Sequence, residues 1–516
     1  MPARPHPAPP PGSGPQRVFA ATQAWPLHDA DATRRIEAAA LARVAPHALM
    51  ARAGLATARL ALAVAPHARR IGVLAGPGNN GGDAVVAALH LQRLGLAVDV
   101  LGLADRSRLP ADAADAWARA EAQGLPLAAS LADLATADLL IDGLLGLGAT
   151  RAPAGPLAAV IAAANAGASP ILAIDLPSGL SADHGRVLGE QAIRARWTLS
   201  LLSLKPGLFT GAGRDHAGEV WFDDLGVAGG DAQAWLGAHA AAPPPGFGPR
   251  WHTQHKGSFG DLHVVGGASG MTGAALLAAR AALTAGAGRV YLSPLDPAPA
   301  ARDQPELMRR PEVWRAGATV LQRATVVCGC GGGDAVREAL PPLLSDAGRL
   351  VLDADALNAI AADAALQESL RRRSGLGLAT ILTPHPLEAA RLLGVTAADV
   401  QADRLAAATR LATTTQAVVV LKGSGSVVAV PGQPPWINTS GHAALATPGS
   451  GDVLAGWIGG VWAQRDAGTE AAGWAARASV WLHGHAADRA LALHPRHRML
   501  PLRAGDLVDA MAAALD

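Results

Sequence analysis

"IGVLAGPGNNGGDAVVAALHLQRLG", residues 71–95, sets a run of apolar strand formers against a glycine-rich turn and then an Ala/Leu segment with helical spacing. Strand, tight turn and helix in that order are half of a βαβ unit, whose strands lie parallel and are buried on both faces. The alternation continues through "AVDVLGLA", "ADLLIDG", "PILAIDLPSG" and "ARWTLSLLS". It returns after residue 250 in "DLHVVGG", "GRVYLSP", "ATVVCGC", "GRLVLDADALN", "ATILTPH" and "AVVVLKGSG". The expected class is α/β, with two doubly wound domains: an N-terminal Rossmann-like αβα sandwich and a C-terminal αβα domain. Between them an Ala/Gly/Pro-rich stretch with a proline run and little amphipathic period reads as a linker. The expected division is a disordered tail over 1–17, a first domain over 18–227, a linker over 228–247 and a second domain over 248–516. No short repeat marks a solenoid.

Composition narrows the function. At 516 residues the chain is long for a single core. With 43 basic against 42 acidic residues and no basic run interleaved with aromatics, it offers nucleic acid neither a polyanion-binding face nor a stacking platform. The N-terminal residues are Pro-rich and lack the apolar stretch of a secretory signal, and every apolar run is broken before the roughly 18 residues that cross a bilayer. A cytoplasmic protein that binds no membrane is expected. Only Cys328 and Cys330 are present, which suits a reducing compartment, and "VVCGCGGG" reads as a glycine turn in preference to a metal site. Three lysines, Lys205, Lys256 and Lys422, stand against 40 arginines, each beside glycines, where a compact ammonium serves better than a planar fork.

The opening stretch also carries chemistry. Gly76, Gly78 and Gly81 satisfy G-x-G-x-x-G, the dinucleotide fingerprint, but Asp83 at the helix start would repel a pyrophosphate there. Asn79, Asn80 and Asp83 instead offer oxygens and amides for hydroxyls or a hard cation. Asp142 and Asp175, the latter followed by Ser178, end two further strands, and in an open parallel sheet such ends converge on one crevice. In the second half, "LKGSGS" (421–426) ends a strand in a turn with a cation and free amides, suited to nucleotide phosphates. "LATPGSGDVLAGWIGG" (445–460) presents backbone N–H groups at a helix N-terminus followed directly by Asp452. An anion-binding turn followed directly by Asp resembles the arrangement of the ribokinase-like superfamily, and that resemblance implies that the carboxylate accepts the proton of a hydroxyl attacking a phosphoryl group.

"GPGNNGGD", "IDGLLGLG", "AIDLPSGL" and "LKPGLFTGAG" together resemble the NAD(P)H-hydrate epimerase family over roughly residues 18 to 227. The resemblance implies interconversion of the R and S forms of the cofactor hydrated at nicotinamide carbon 6. It implies that Asn79, Asn80, Gly81, Gly82, Asp83, the loop of Gly146, Leu147, Gly148, Ala149, Thr150, Arg151 and Ala152, and the catalytic Asp175 hold the hydrate. Asn80, Asp142 and Ser178 would bind a potassium ion. Ala84 departs from the family, which commonly shows a further Gly there, so that a methyl group would narrow the loop.

Within the ribokinase-like superfamily, "HKGSFGD", "GGASGMTGAA", "DADALN", "TPHPLEAARLLG" and "LKGSGS" resemble the ADP-dependent NAD(P)H-hydrate dehydratases over roughly residues 248 to 516. By that resemblance the C-terminal domain is ribokinase-like, and ADP with magnesium phosphorylates the hydroxyl that water added to the ring. Loss of phosphate then restores NADH or NADPH. Ala274, Gly331, His385 and Asp452 would contact the hydrate, Asp452 as catalytic base, while Lys422, Gly423, Ser424, Gly425, Ser426 and Gly451 would hold the nucleotide. Two departures stand out: "GCGGG" replaces the usual G-P-G-x-G, and Pro448 takes the place of a common Gly, where its missing N–H would cost an anion-binding donor.

The two halves fit one purpose, the first supplying the S hydrate that the second consumes, so a bifunctional repair enzyme acting on the NADH and NADPH hydrates (NADHX and NADPHX) with ADP is expected, as a homo-oligomer. The alternatives are a sugar or vitamin kinase fused to a dinucleotide-binding domain, which would use ATP and leave a stable phosphorylated product, and a non-enzymatic nucleotide-binding scaffold with one decayed half.

Overall fold

The computed structural model describes residues 14–18, 24–237, 250–296 and 304–515, which form two compact units, mainly Trp25–Trp235 and mainly Leu236 onward. The boundary falls inside the expected linker, and that span also holds a short strand, Ala234–Leu236, where no regular element was expected. The tail expected over 1–17 lies outside the described residues up to position 13, but its end is ordered. Gln16–Arg17 form a strand (β1) whose backbone pairs antiparallel with Trp221 and Phe222.

The first unit is built on strands β2 (Arg70–Ala75), β3 (Ala97–Gly102), β4 (Leu139–Gly143), β5 (Ile171–Ile174), β6 (Trp197–Leu201) and β7 (Glu219–Asp223). Their order in the seven-stranded sheet is β1-β7-β6-β5-β4-β2-β3. All neighbours from β7 to β3 run parallel, as continuous Val/Ile/Leu runs require. The chain leaves β2 toward β3 on one side and returns as β4 on the other, so a topological switch lies at the carboxyl ends of β2 and β4. The helix after β2, Asn79–Arg93, packs on Ala48–Val64 through the small residues Gly54, Val86 and Ala87.

The second unit holds β8 (Asp261–Gly266), β9 (Arg289–Pro294), β10 (Met308–Arg309), β11 (Thr325–Cys328), β12 (Arg349–Leu352), β13 (Ala379–Leu382), β14 (Val418–Leu421), β15 (Val427–Ala429) and β16 (Trp436–Ile437). They order as β10-β9-β8-β11-β12-β13-β14-β15-β16. Strands up to β14 are parallel, and β15 and β16 follow antiparallel, with β14 and β15 joined by the turn inside "AVVVLKGSGSVVAV". The switch point here lies between β8 and β11.

One packing contact aims the second unit's site. Helix Ser450–Ala463 lies so close to helix Thr272–Thr284 that a Cβ at Gly456 would stand 2.0 Å from the Ala278 carbonyl oxygen, and one at Gly460 2.4 Å from that of Ala282. Only glycine permits that approach, which is why "GWIGG" follows the turn and why the facing helix is built of alanine. No helix among the described residues is long and apolar enough to cross a membrane.

Candidate functional site

A cleft of about 480 Å³ opens at the switch point of the first unit. Asn79, Asn80, Asp83, Gly146, Leu147, Gly148, Ala149 and Asp175 line it, so the loops after β2, β4 and β5 do meet. Gly81 packs behind the cleft, where a Cβ would stand 2.1 Å from the Gly76 carbonyl oxygen, and Gly82 is buried against Met50. Thr150, Arg151 and Ala152 continue the loop beyond the lining. Ala84, the departure from the family pattern, is fully buried in the core and faces Gly143, so its methyl group does not narrow the cleft.

The floor of the cleft is an ion pair. Lys205, 1% exposed, places Nζ on Asp175 Oδ1 and donates to the Leu201 carbonyl at 2.6 Å. Asp175 also accepts from the Leu147 N–H at 3.2 Å, which ties the β4 loop to it. Its backbone sits at φ 65°, the left-handed region that a residue other than glycine holds only when its surroundings impose it. Leu202 and Leu225, also cleft-lining, share that conformation. Around the pair stand Glu37, Asp83 and Asp112. Burial first, then the charge of Asp175, raises both Asp83 and Glu37, Asp83 well above the usual carboxylate range. Asp83 and the Asp175–Lys205 pair thus set two carboxyl groups and an ammonium around one cleft.

Below this lies an all-oxygen nest. Asp142, with no exposed surface, accepts from Ser178 Oγ at 2.6 Å, Ser178 N at 2.9 Å and Leu144 N at 3.1 Å. Ser178 Oγ also lies 3.2 Å from the Leu145 carbonyl, and the Asn80 amide donates to the Ile174 carbonyl at 3.2 Å. Burial lifts Asp142 to about 6, and among the described residues no Lys, Arg or His pairs with it. A buried carboxylate with only neutral partners in an oxygen donor set fits a hard cation.

In the second unit Asp452 is the third residue of helix Ser450–Ala463, whose N-cap Gly449 lies in the left-handed region. Pro448 precedes that cap, so it removes no N–H of the helix's first turn. Asp353, at the end of β12, is 1% exposed and accepts from Lys422 Nζ at 2.7 Å and Thr383 Oγ1 at 2.8 Å. Cys330 Sγ lies 4.0 Å from Asp353 Oδ2. A Cβ on Gly451 would sit 3.2 Å from Lys422 Nζ, which brings the two expected nucleotide-holding segments together. Burial and then the neighbouring Asp353 push the Asp452 carboxyl up to about 6, a value suited to a base working near neutrality.

The other expected residues arrive by different routes. Gly331 abuts Met271 and Ala274, its carbonyl accepting from the Ala268 N–H at 2.7 Å. His385 caps helix Pro386–Leu393, with Nδ1 accepting from the Leu387 N–H at 3.1 Å, and its imidazole is half exposed. Lys422 N donates to the Pro384 carbonyl, so His385 stands against the turn of Gly423, Ser424, Gly425 and Ser426. Gly423 (φ 137°) rests on the buried Arg404 guanidinium, which also donates to the Leu421 and Lys422 carbonyls at 3.3 and 3.2 Å. Lys256 is exposed.

The family model described as NAD(P)H-hydrate dehydratase matches residues 262–509, and that of the YjeF-related protein N-terminus matches residues 46–207. A bifunctional NAD(P)H-hydrate repair enzyme from Escherichia coli is 36% identical over 468 residues, covering 88% of this chain and 87% of the relative. A second, from Moorella thermoacetica, is 37% identical, covering 86% of each. The chain belongs to the bifunctional NAD(P)H-hydrate repair enzyme family. Among solved structures, an ADP/ATP-dependent NAD(P)H-hydrate dehydratase from Bacillus subtilis is 28% identical over 52% of this chain and 92% of that one, with a TM-score of 0.42.

For a repair enzyme of this family, sequence reasoning passed over the residues that act through others. Lys205 was marked by rarity and by its place in "LKPGLFTGAG", and Lys422 also as a nucleotide-holding residue, but only folding shows each on a buried carboxylate. Asp353 was legible as part of "DADALN" without a role, and Ala354 beside it at φ 47° marks the strain of holding it. Arg404 carried no signal, one arginine among 40.

Proposed function

We propose that the first unit epimerises the R and S hydrates of NADH and NADPH and that the second dehydrates the S form with ADP, releasing AMP, phosphate and the restored cofactor. The observation that carries this is Asp452, raised to about 6 at a helix N-terminus, beside the Lys422–Asp353 pair and the turn that Lys422 opens. Asp452 takes the proton of the ring hydroxyl as that oxygen attacks the terminal phosphoryl group. Gly423, Ser424, Gly425, Ser426 and Gly451 offer backbone N–H groups to the phosphates, and Lys422 sets a cation against them. Ala274, Gly331 and His385 bound the space for the nicotinamide. Magnesium supplies charge neutralisation to the nucleotide when bound.

In the first unit Asn79, Asn80, Asp83 and the Gly146–Ala152 loop hold the hydrate, and Asp175 transfers the proton, oriented by Lys205. Asp142, Ser178 and Asn80 hold potassium, which supplies the positive charge that Asp142 otherwise lacks. The epimerase domain is assigned to 18–227 and the dehydratase domain to 248–516, on either side of the division at Trp235 and Leu236. Two buried thiols and no disulfide suit work in the cytoplasm.

The test is recovery of the reduced-nicotinamide absorbance from mixed R and S hydrates with ADP, magnesium and potassium. Full recovery with one AMP per cofactor is expected. Asp452→Asn should lose it, while Asp175→Asn should restore the S fraction and stall. No recovery with ADP or ATP overturns the reading.

A further inference from the structure

We propose that Cys330, Asp353 and Asp452 form a site for a thiophilic divalent cation, of the zinc or cadmium kind, whose occupation withdraws the Asp452 carboxylate and stops the dehydration. The inhibitory consequence rests on the proposed role of Asp452; the site itself does not.

The three side chains come from three separate segments, the loop after β11, the end of β12 and the helix Ser450–Ala463, and their ligand atoms all lie within 4.8 Å of one another. A tetrahedral zinc centre with a thiolate and carboxylates spaces its sulfur and oxygen ligands about 3.5 Å apart, so small rotamer changes close the cluster. Cys330 and Asp353 are 0% and 1% exposed, while Asp452 is only partly buried, so the cluster reaches solvent on the Asp452 side. Independently of the cysteine, the cluster already attracts a cation, since Lys422 Nζ sits 2.7 Å from Asp353 Oδ1. An incoming divalent ion displaces that ammonium, whose four-carbon stem lets it swing toward the solvent.

The sulfur decides which ion. Two carboxylates alone suit magnesium or calcium, whereas a thiolate in the set selects softer cations. Binding breaks the Cys330 S–H bond, sends its proton to solvent and forms the sulfur–metal bond, with no change of oxidation state. Cys330 stands where the G-P-G-x-G pattern of the resemblance has Pro, a residue with no donor atom in its side chain. Cys328, two residues away, belongs to the opposite core cluster and takes no part.

The experiment titrates the full chain, free of nucleotide, with cobalt(II) and then cadmium(II), and follows the thiolate-to-metal charge-transfer absorbance. One equivalent should produce the band in the parent and in Cys328→Ala, and neither Cys330→Ala nor Cys330→Pro should show it. No band in the parent, or a band surviving in both Cys330 variants, overturns the site. In parallel, zinc should inhibit the parent's dehydration reversibly on addition of a zinc-selective chelator, with at least about tenfold lower sensitivity in the Cys330 variants. A band without such inhibition overturns the inhibitory role and leaves metal binding standing. If the parent restores no cofactor at all, the band still decides the site, so failure of the repair reading is told apart from failure of this one.

Discussion

Lys422 Nζ lies 2.7 Å from Asp353 Oδ1, and that carboxylate, 1% exposed, has Thr383 as its second partner on the same oxygen. The ammonium of the turn "LKGSGS" is therefore aimed from within the protein, by a group that also raises the neighbouring Asp452.

Asp353→Asn keeps the shape and removes the charge. Since Asp353 raises Asp452, the variant's dehydratase activity should persist to lower pH than the parent's, whose rate should fall below about pH 6 if Asp452 is the base. The pH profile of kcat/KM measures the shift, and an unmoved acidic limb would show that Asp353 does not act through Asp452.

Asp452→Asn should lower the dehydratase kcat by roughly 10² to 10⁴, the usual worth of a general base. Its epimerase rate, followed as the approach of pure S hydrate to the R and S mixture, should match the parent's.

Lys205→Met leaves Asp175 without its cation. Removing one partner of a buried pair costs about 3–5 kcal/mol, read as a drop in the first unit's unfolding temperature, and epimerase activity should be lost. Lys205→Arg should not restore it, because a planar guanidinium does not fit the space of an ammonium that also reaches the Leu201 carbonyl.

Potassium should stabilise the first unit in a pH-dependent way. Asp142 is raised to about 6 in the fold, so in the absence of a cation its contribution to stability is present at low pH and is lost as pH rises through that value. Potassium favours the ionised form and should raise the thermal transition above about pH 6, with little effect below it. Equal melting in potassium and in a bulky organic cation at both pH values would contradict the assignment.

Gly456→Ala puts a methyl carbon 2.0 Å from the Ala278 carbonyl oxygen. The helix must move away, at a cost of about 1–3 kcal/mol by thermal unfolding. Because that helix carries Asp452, dehydration should weaken while epimerisation continues.

What the sequence determined by itself was the alternation of elements and the ends at which chemistry collects. Short Val/Ile/Leu runs broken by glycine admit little but parallel strands with helices between them, and both switch points fell at quoted turns, "GPGNNGGD" and "GGASGMTGAA". Local motifs likewise marked Asp175, Asp142 and Asp452, because a carboxylate after a strand or a glycine turn is visible in a few residues. The tertiary structure alone decided the partners. Lys205 stands 30 residues from Asp175, and Lys422 stands 69 from Asp353. Such pairs depend on which strands become neighbours and on what burial does to charge, and neither leaves a local pattern. The same holds for Cys330: read as a turn residue beside two glycines, its thiol meets the Asp353 and Asp452 carboxylates only when a loop, a strand end and a helix converge on one point.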